Sequence, residues 1–440
     1  MNQILLQPTD VLFFRDGRPM SGSLAGHGAA WPLPNVISAA FHAALHRAFP
    51  EPGGDHLHRV KVDGEYSDRR TRRFGSVVTA GPFPVRKDGT WFFPRPADLL
   101  TSTVEPTLLP AISDRSASSL PKPLQHAVGS ILPPAKETKA KLWLSGSAYR
   151  EYLGREIAES ENEMLDDENI FDTEHQIGIE IDDTTGTAGQ GEVAGKFYSA
   201  QYLRLRDGWR LGTLADSQGN GHNLFTELLR TPHRIVVGGQ QRVCTAEQGP
   251  AKTRIPLPIG KRDDFLESED KFLLKWVLLT PAIWPAIETT RDRINRHPGG
   301  FLPNWINAEN GAVELVDGPG LSKAKRLRRE PGKRIEARLV AAIVPKPLTV
   351  TGWALGLGDE DDPGGAKSIH LAVPAGAVYY FETESAEQAS KLADALNWHG
   401  ASAGERVVNR RSALCGEKGF GLGICSTWRY HPASGRQVTS

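Results

Sequence analysis

Ala377-Val-Tyr-Tyr-Phe-Glu382, followed after two residues by Ser385-Ala-Glu-Gln388, fixes how this chain is to be read. The first run is short, apolar and aromatic, which suits a buried strand. The second is a Ser-x-x-Gln capping box and predicts a helix from there to about Trp398. Working outward, Arg406 to Val408 leads to a glycine loop, Gly416-Glu-Lys-Gly419-Phe-Gly421-Leu-Gly423, and then to an expected strand from Ile424 to Tyr430. The other end of the chain opens in a similar way. Ile4 to Leu6 and Val11 to Phe14 read as strands interrupted by Pro8, Gly17 to Gly28 is a glycine-rich connection, and a helix is predicted after Pro34, with Asn35 as N-cap, to about Phe49. Asp88-Gly89 and Asp207-Gly208, each between apolar flanks, predict type I′ hairpins and hence antiparallel sheet. Thr138 to Leu153 has helical periodicity. The order points to an α+β protein of two ferredoxin-like (RRM-like) units, expected over residues 1–190 and 191–440, the first carrying an acidic insertion.

The chain has 440 residues, 45 Gly, 31 Pro and 39% apolar residues, a balance that excludes both a helical bundle and a disordered polymer. The longest apolar stretch, Phe272 to Trp284, is interrupted by Lys275 and Pro281, and no basic residue precedes the first apolar run, so a cytoplasmic protein is expected, with no membrane partner. Three cysteines, Cys244, Cys415 and Cys425, have no CxxC spacing and predict reduced thiols. The 52 basic and 52 acidic side chains are sorted into blocks. Glu151 to Asp183 is acidic. Lys323 to Arg334, Arg69-Arg70 with Arg72-Arg73, and Arg410-Arg411 are basic, and such clusters suit phosphate contacts or plain solvated surface.

The glycine loop at 416–423 would let a backbone press against a phosphate, with Lys418 adding charge. No Gly-Lys-Ser/Thr closes it and a strand follows, so it is neither a Walker loop nor a dinucleotide fingerprint; the other reading is a turn packed under the sheet. His42 and His46 have the i, i+4 spacing of zinc ligands, but Ala43 replaces the glutamate of that motif, and a core or partner role is expected instead. No nucleophile elbow is present. Asp359 to Asp362 reads as an exposed loop, and no metal, cofactor or small-molecule substrate is expected.

Pro8-Thr-Asp-Val-Leu-Phe-Phe-Arg-Asp-Gly-Arg-Pro19, with the glycine-rich stretch after it, resembles the start of the RAMP-superfamily third subunit of the Cmr complex, a type III-B CRISPR effector. Further stretches are similar in the same order: Ile177-Gly-Ile-Glu-Ile-Asp182, Gly195-Lys-Phe-Tyr198 with Leu203-Arg-Leu-Arg206, and Gly238-Gly-Gln-Gln-Arg242. Leu279-Thr-Pro-Ala282, Val350-Thr-Gly-Trp353, Val373 to Tyr379 and Lys418-Gly-Phe-Gly421 complete the series. Two departures are Val193-Ala before Gly195, where an acidic residue is usual, and Met20 in place of an aromatic. The resemblance implies two ferredoxin-like RAMP domains with insertions, no catalysis, binding of the 5′ tag of the guide RNA, and pairing with the polymerase-like large subunit and other RAMP subunits. The implied RNA contacts are Arg15, Asp16, Gly17 and Arg18, then Gly26, His27, Arg69 and Arg70, and Lys418, Gly419, Phe420 and Gly421. A competing reading is a guide-processing RAMP endoribonuclease, with His27 as general base on a ribose 2′-OH.

Overall fold

The structure, a computed structural model, describes residues 1–15, 25–26, 31–50, 57–62, 65–74, 76–99, 106–108, 119–130, 141–154, 163–179, 181, 184–187, 197–217, 223–250, 254–288, 296–316, 333–355 and 364–430. The main strands among these are β1 (Asn2–Pro8), β2 (Val77–Arg86), β3 (Phe171–Ile179), β4 (Phe197–Leu205), β5 (Trp209–Ser217), β6 (His233–Val236), β7 (Val243–Gln248), β8 (Lys271–Leu278), β9 (Ala337–Ile343), β10 (Val378–Thr383) and β11 (Gly423–Thr427). The longer helices are α1 (Pro34–Ala48), α2 (Gly146–Gly154), α3 (Leu224–Leu228) and α4 (Ala386–Leu396). No helix among the described residues is long and apolar enough to cross a membrane.

The chain divides into two compact units, and the division does not follow the expected cut at residue 190. The first takes 1–89, 167–251 and 349–370, and the second 90–166, 252–348 and 371–440. Strand pairing rather than chain continuity sets this division, since β1 finds both of its neighbours more than two hundred residues downstream.

In the first unit the sheet order is β6-β7-β1-β5-β2, with every pair antiparallel. Helix α1 buries Ile37, Phe41, Ala44 and Leu45, the i, i+4, i+7 pattern of a core-facing stripe. Phe41 meets Phe225 of α3 edge to face, with ring centroids 5.2 Å apart. The helix starts two residues earlier than the sequence suggested. Leu33 is the N-cap, Pro34 fills the first turn where its missing N–H costs nothing, and the Asn35 side chain donates to Thr351 O instead. A second, three-stranded sheet joins β3, β4 and the short strand Ala25–Gly26.

In the second unit β9, β10, β8 and β11 follow in that order, again all antiparallel. Along β8, Leu274, Trp276 and Leu278 point into a core shared with Tyr379, Phe381 and the α4 residues Ala389, Leu392 and Leu396. Ser385 is the N-cap of α4, its side chain accepting from Gln388 N. The box is half closed, because the Gln388 amide oxygen accepts from Glu336 N rather than turning back to the cap.

The opposite face of β8 carries Lys275, and it is covered too. Lys275 Nζ lies 2.7 Å from Asp98 Oδ2 and 4.2 Å from the Tyr152 ring centroid, Tyr152 donates to Asp98 Oδ1 (2.7 Å), and Tyr380 donates to Oδ2 (3.3 Å). Burial, reinforced by the Asp98 carboxylate, raises both phenols well above their ordinary pKa. Tyr152 belongs to α2, the helix foreshadowed by the periodicity over 138–153, which also accepts Ser426 Oγ–H of β11 at Leu153 O.

Neither Asp-Gly pair makes a hairpin. Gly89 and Gly208 have positive φ (87° and 85°) but Asp88 and Asp207 do not, whereas a type I′ turn needs both central residues there. Each turn instead carries the chain between sheets, because β2 pairs with β5 and not with the residues after Gly89, and β4 pairs with β3 and not with β5.

His399 is fully buried after α4; its Nε2 accepts from Gly260 N (3.1 Å), which leaves Nδ1–H to donate to Ser402 O (3.0 Å). Burial pushes its pKa below the ordinary value of 6.5. A base whose folded pKa is depressed adds stability that is complete above the unfolded pKa, about 6.5, and is lost as the pH falls from there toward the folded value. The melting-temperature advantage of the wild type over His399→Gln should therefore narrow between pH 7.5 and pH 5.5; thermal denaturation at both pH values checks it, and an advantage that widens on acidification would contradict it.

Candidate functional site

The described part of the chain's opening segment runs along β4 and the turn between β6 and β7. Thr9 N donates to Val243 O, Leu12 and Leu203 exchange both backbone bonds, and Gly239 N donates to Phe13 O (2.9 Å). This route explains the two glycines of the turn. A Cβ on Gly238, whose φ is 79°, would stand 2.5 Å from Phe13 O, and one on Gly239 would stand 2.7 Å from the Phe13 ring.

Around this junction gathers a polar and aromatic cluster. Phe13 and Tyr202 have ring centroids 5.4 Å apart, and the Arg242 guanidinium lies 5.0 Å from the Tyr202 centroid. Tyr202 donates its hydroxyl to Gln240 Oε1 (2.8 Å), and Arg242 Nη2 donates to the same oxygen (3.3 Å). Asp10 is paired with Arg204 (2.9 Å) and stands 3.7 Å from Arg242, while Arg204 also hydrogen-bonds Glu174 across the β3–β4 pair. The hydrogen bond from Arg204 holds the Asp10 carboxyl below its usual pKa, helped by the Val11 N–H and by Arg242.

The site residues singled out from the sequence fall into four groups. Asp16, Gly17, Arg18 and His27, the basic run at 323–332 and the acidic loop at 359–362 lie outside the described residues. Arg15 is exposed, two positions beyond Phe13, and Gly26 pairs in parallel with Ala200 of β4, so both belong to the sheet and segment that carry Tyr202. Arg69 and Arg70 sit in the strand Glu65–Arg73; Ser67 and Thr71 oppose the consecutive residues Val60 and Arg59, so Asp68-Arg69-Arg70 form a bulge.

Lys418, Gly419, Phe420 and Gly421 belong to the second unit, and their backbone is already engaged. Lys418 and Phe420 donate to Cys415 O, Gly419 to Gly416 O, and Gly421 to Pro281 O (2.7 Å). Phe420 is fully buried, and a Cβ on Gly421 (φ 77°) would meet Ser412 N at 2.1 Å. The expectation that these N–H groups aim at a phosphate is corrected here. The loop is a turn packed against the chain, and Lys418, half-buried, contributes only its charge. Of the histidine pair, His42 is half-buried and His46 is exposed, its ring 4.9 Å from that of Phe74, so neither is a core residue. Cys244 and Cys425 are buried thiols, the first pushed up to about 12 by desolvation.

Sequence reasoning did not single out Tyr202, Arg204, Gln240 and Arg242 as site residues. Two of their segments were visible as motifs, but no local signal tells that they meet.

A second surface lies at the far end of β3 and just beyond it. Ile177, Ile179 and Ile181 are 75%, 60% and 59% exposed and alternate along the chain, so they share one face. Among the described residues the large exposed apolar side chains are aliphatic.

Among solved structures, the chain is similar to one in "Cryo-EM structure of the Type III-B Cmr-beta bound to cognate target RNA", at 14% identity and TM-score 0.39, covering 86% of each chain. It is also similar to one in "Crystal structure of Csm3-Csm4 subcomplex in the type III-A CRISPR-Cas interference complex", at 11% identity and TM-score 0.37, covering 86% of this chain and 92% of that one. No curated protein matches the sequence. Residues 4–428 match the model of the family described as CRISPR-associated protein (Cas_Cmr3), which spans nearly the whole chain, and the protein belongs to that family.

Proposed function

We propose that this subunit holds the 5′ tag of the guide RNA on its first unit, pairs with the polymerase-like large subunit and the other RAMP subunits, and catalyses no reaction itself. The observation that carries the reading is the convergence of the opening segment, β4 and the Gly238–Arg242 turn, which sets exposed Arg15 and the Gly26 strand beside a Phe13–Tyr202–Arg242 cluster. Single-stranded RNA is gripped by this combination of cation, planar group and close backbone.

The RNA contacts proposed on the first unit are Arg15, Asp16, Gly17, Arg18, Gly26 and His27, with Arg69 and Arg70 of the strand Glu65–Arg73; Lys418 of the second unit is proposed as a separate contact by charge. The strand orders support two ferredoxin-like domains. In the first unit β7-β1-β5-β2 hold the fourth, first, third and second places of a strand-helix-strand-strand-helix-strand path, with α1 and α3 as its helices. In the second, β11-β8-β10-β9 repeat that order, α4 is the second helix, and irregular chain stands among the described residues where the first would be. The exposed isoleucines at 177, 179 and 181 support a partner subunit on that face, since contiguous apolar surface of this kind marks interaction sites.

Filter binding of tagged guide RNA across a salt series tests the RNA reading. Arg15→Ala with Arg18→Ala should weaken binding and flatten the log–log salt slope by about 0.7 for each phosphate that is no longer neutralised. Wild-type affinity with an unchanged slope would place the RNA elsewhere. Cleavage of repeat RNA by the isolated chain, abolished in His27→Ala, would replace the noncatalytic reading with the endoribonuclease.

A further inference from the structure

We propose that the Gly238–Arg242 turn reads one unstacked base of the bound RNA, with the Arg242 guanidinium stacking on the base and the Gln241 amide hydrogen-bonding its edge. This rests on the reading of the first unit as the RNA-binding unit and gives it a residue-level specificity element.

The backbone of the turn is strained in a way that shapes its surface. Gln240 and Gln241 both have positive φ (54° and 51°), a conformation that costs a residue with a Cβ about 1–2 kcal/mol. Two such residues in succession persist only when the surroundings hold them, and here Gly238 and Gly239 are clamped on Phe13 while the Gln240 side chain is held by Tyr202 and Arg242. The next side chain, Gln241, is exposed, and its amide has no hydrogen-bond partner among the described residues. An amide offers a donor and an acceptor side by side, which matches the paired groups on a base edge.

Arg242 supplies the plane. Tyr202 is 5% exposed and cannot itself receive a base, because Phe13 packs on it and Arg242 lies over its ring. The guanidinium thus covers the Tyr202 ring, to which the Phe13 ring is tilted at 46°. Its side chain is 27% exposed, with Nε turned inward and buried.

Charge decides between a base and a phosphate at this spot. Arg242 and Arg204 face Asp10 and Glu174, two cations against two carboxylates, so a phosphate gains little there and meets repulsion from Asp10. A neutral aromatic plane is not repelled and still gains from stacking on the cation. The phosphates flanking that base are left to the cations of the opening segment, Arg15 first among them.

The test uses the full chain and guide-length single-stranded RNAs bearing the repeat-derived 5′ tag, each with one abasic site at successive tag positions. With wild type, one position should show a loss of affinity of about ten-fold, the order of a single stacked base. Arg242→Lys, which keeps the charge and removes the plane, should weaken the intact RNA by a similar factor, abolish the abasic penalty at that position only, and leave the salt slope unchanged. Gln241→Ala removes an exposed side chain with no hydrogen-bond partner among the described residues, so it spares the fold. It should relax discrimination among the bases at the same position. If both variants keep every abasic penalty and every base preference of the wild type, the turn reads no base, even though the subunit binds RNA. If the wild type binds none of the RNAs, the RNA-binding reading falls with it.

Discussion

Replacing Asp98 by Ala is expected to cost about 3–5 kcal/mol, the range for removing one partner of a buried ion pair. Lys275 Nζ would remain with 8% of its side chain exposed and without its carboxylate, and the Tyr152 and Tyr380 hydroxyls would lose their acceptor in the same step. Against a total stability of about 5–15 kcal/mol, that is enough to unfold much of the population at body temperature. The pair itself need not stabilise relative to an apolar pair. Asp98→Leu with Lys275→Met should recover most of the loss, because desolvating two charges consumes much of what their attraction returns. Denaturant titration of the wild type and the two variants checks both parts, and an Asp98→Ala protein within about 1 kcal/mol of wild type would show that the network is not closed as described.

The second large effect is expected at Gly421. Valine there would have to hold a φ of 77°, at about 1–2 kcal/mol, with its Cβ 2.1 Å from Ser412 N. That neighbour is backbone, fixed by the Arg411 N–H to Gly421 O bond at 2.8 Å, and so cannot swing aside. Gly421→Val should yield little soluble protein and a melting temperature far below wild type, with Gly421→Ala between them. A well-folded Gly421→Val protein impaired only in RNA affinity would instead restore the loop as a phosphate cradle.

How much of this was legible in the sequence depended on the range of the interactions concerned. Helix α4 and its Ser385 cap, helix α1, and β10 were readable because periodicity and capping are written within a few residues of one another. The Asp-Gly pairs misled, since a turn signal announces a reversal without naming the strand that will lie alongside. β5 chooses β2, more than a hundred residues earlier, over the adjacent β4. The division into units was hidden for the same reason. At the site, the Gly238–Arg242 segment was visible only as a motif, because glutamine is a poor marker of positive φ and nothing local reveals that Phe13 and Tyr202 close over it. The glycine loop was conspicuous, yet its glycines answer to Pro281 and to the Arg411-Ser412 backbone, neighbours that composition does not record.

The placement of β1 has a consequence for synthesis. Asn2–Pro8 is synthesised before every other strand of its sheet, and the strands that flank it, Trp209–Ser217 and Val243–Gln248, follow more than two hundred residues later. At a translation rate of about 5–20 residues per second, the nascent strand waits about 10–40 s with both edges bare. During that interval Ile4 and Leu6, later at the centre of the core, are an open invitation to neighbouring chains on the same message. Elongation speed and chaperone occupancy, rather than final stability, would then govern how much of the subunit a cell recovers.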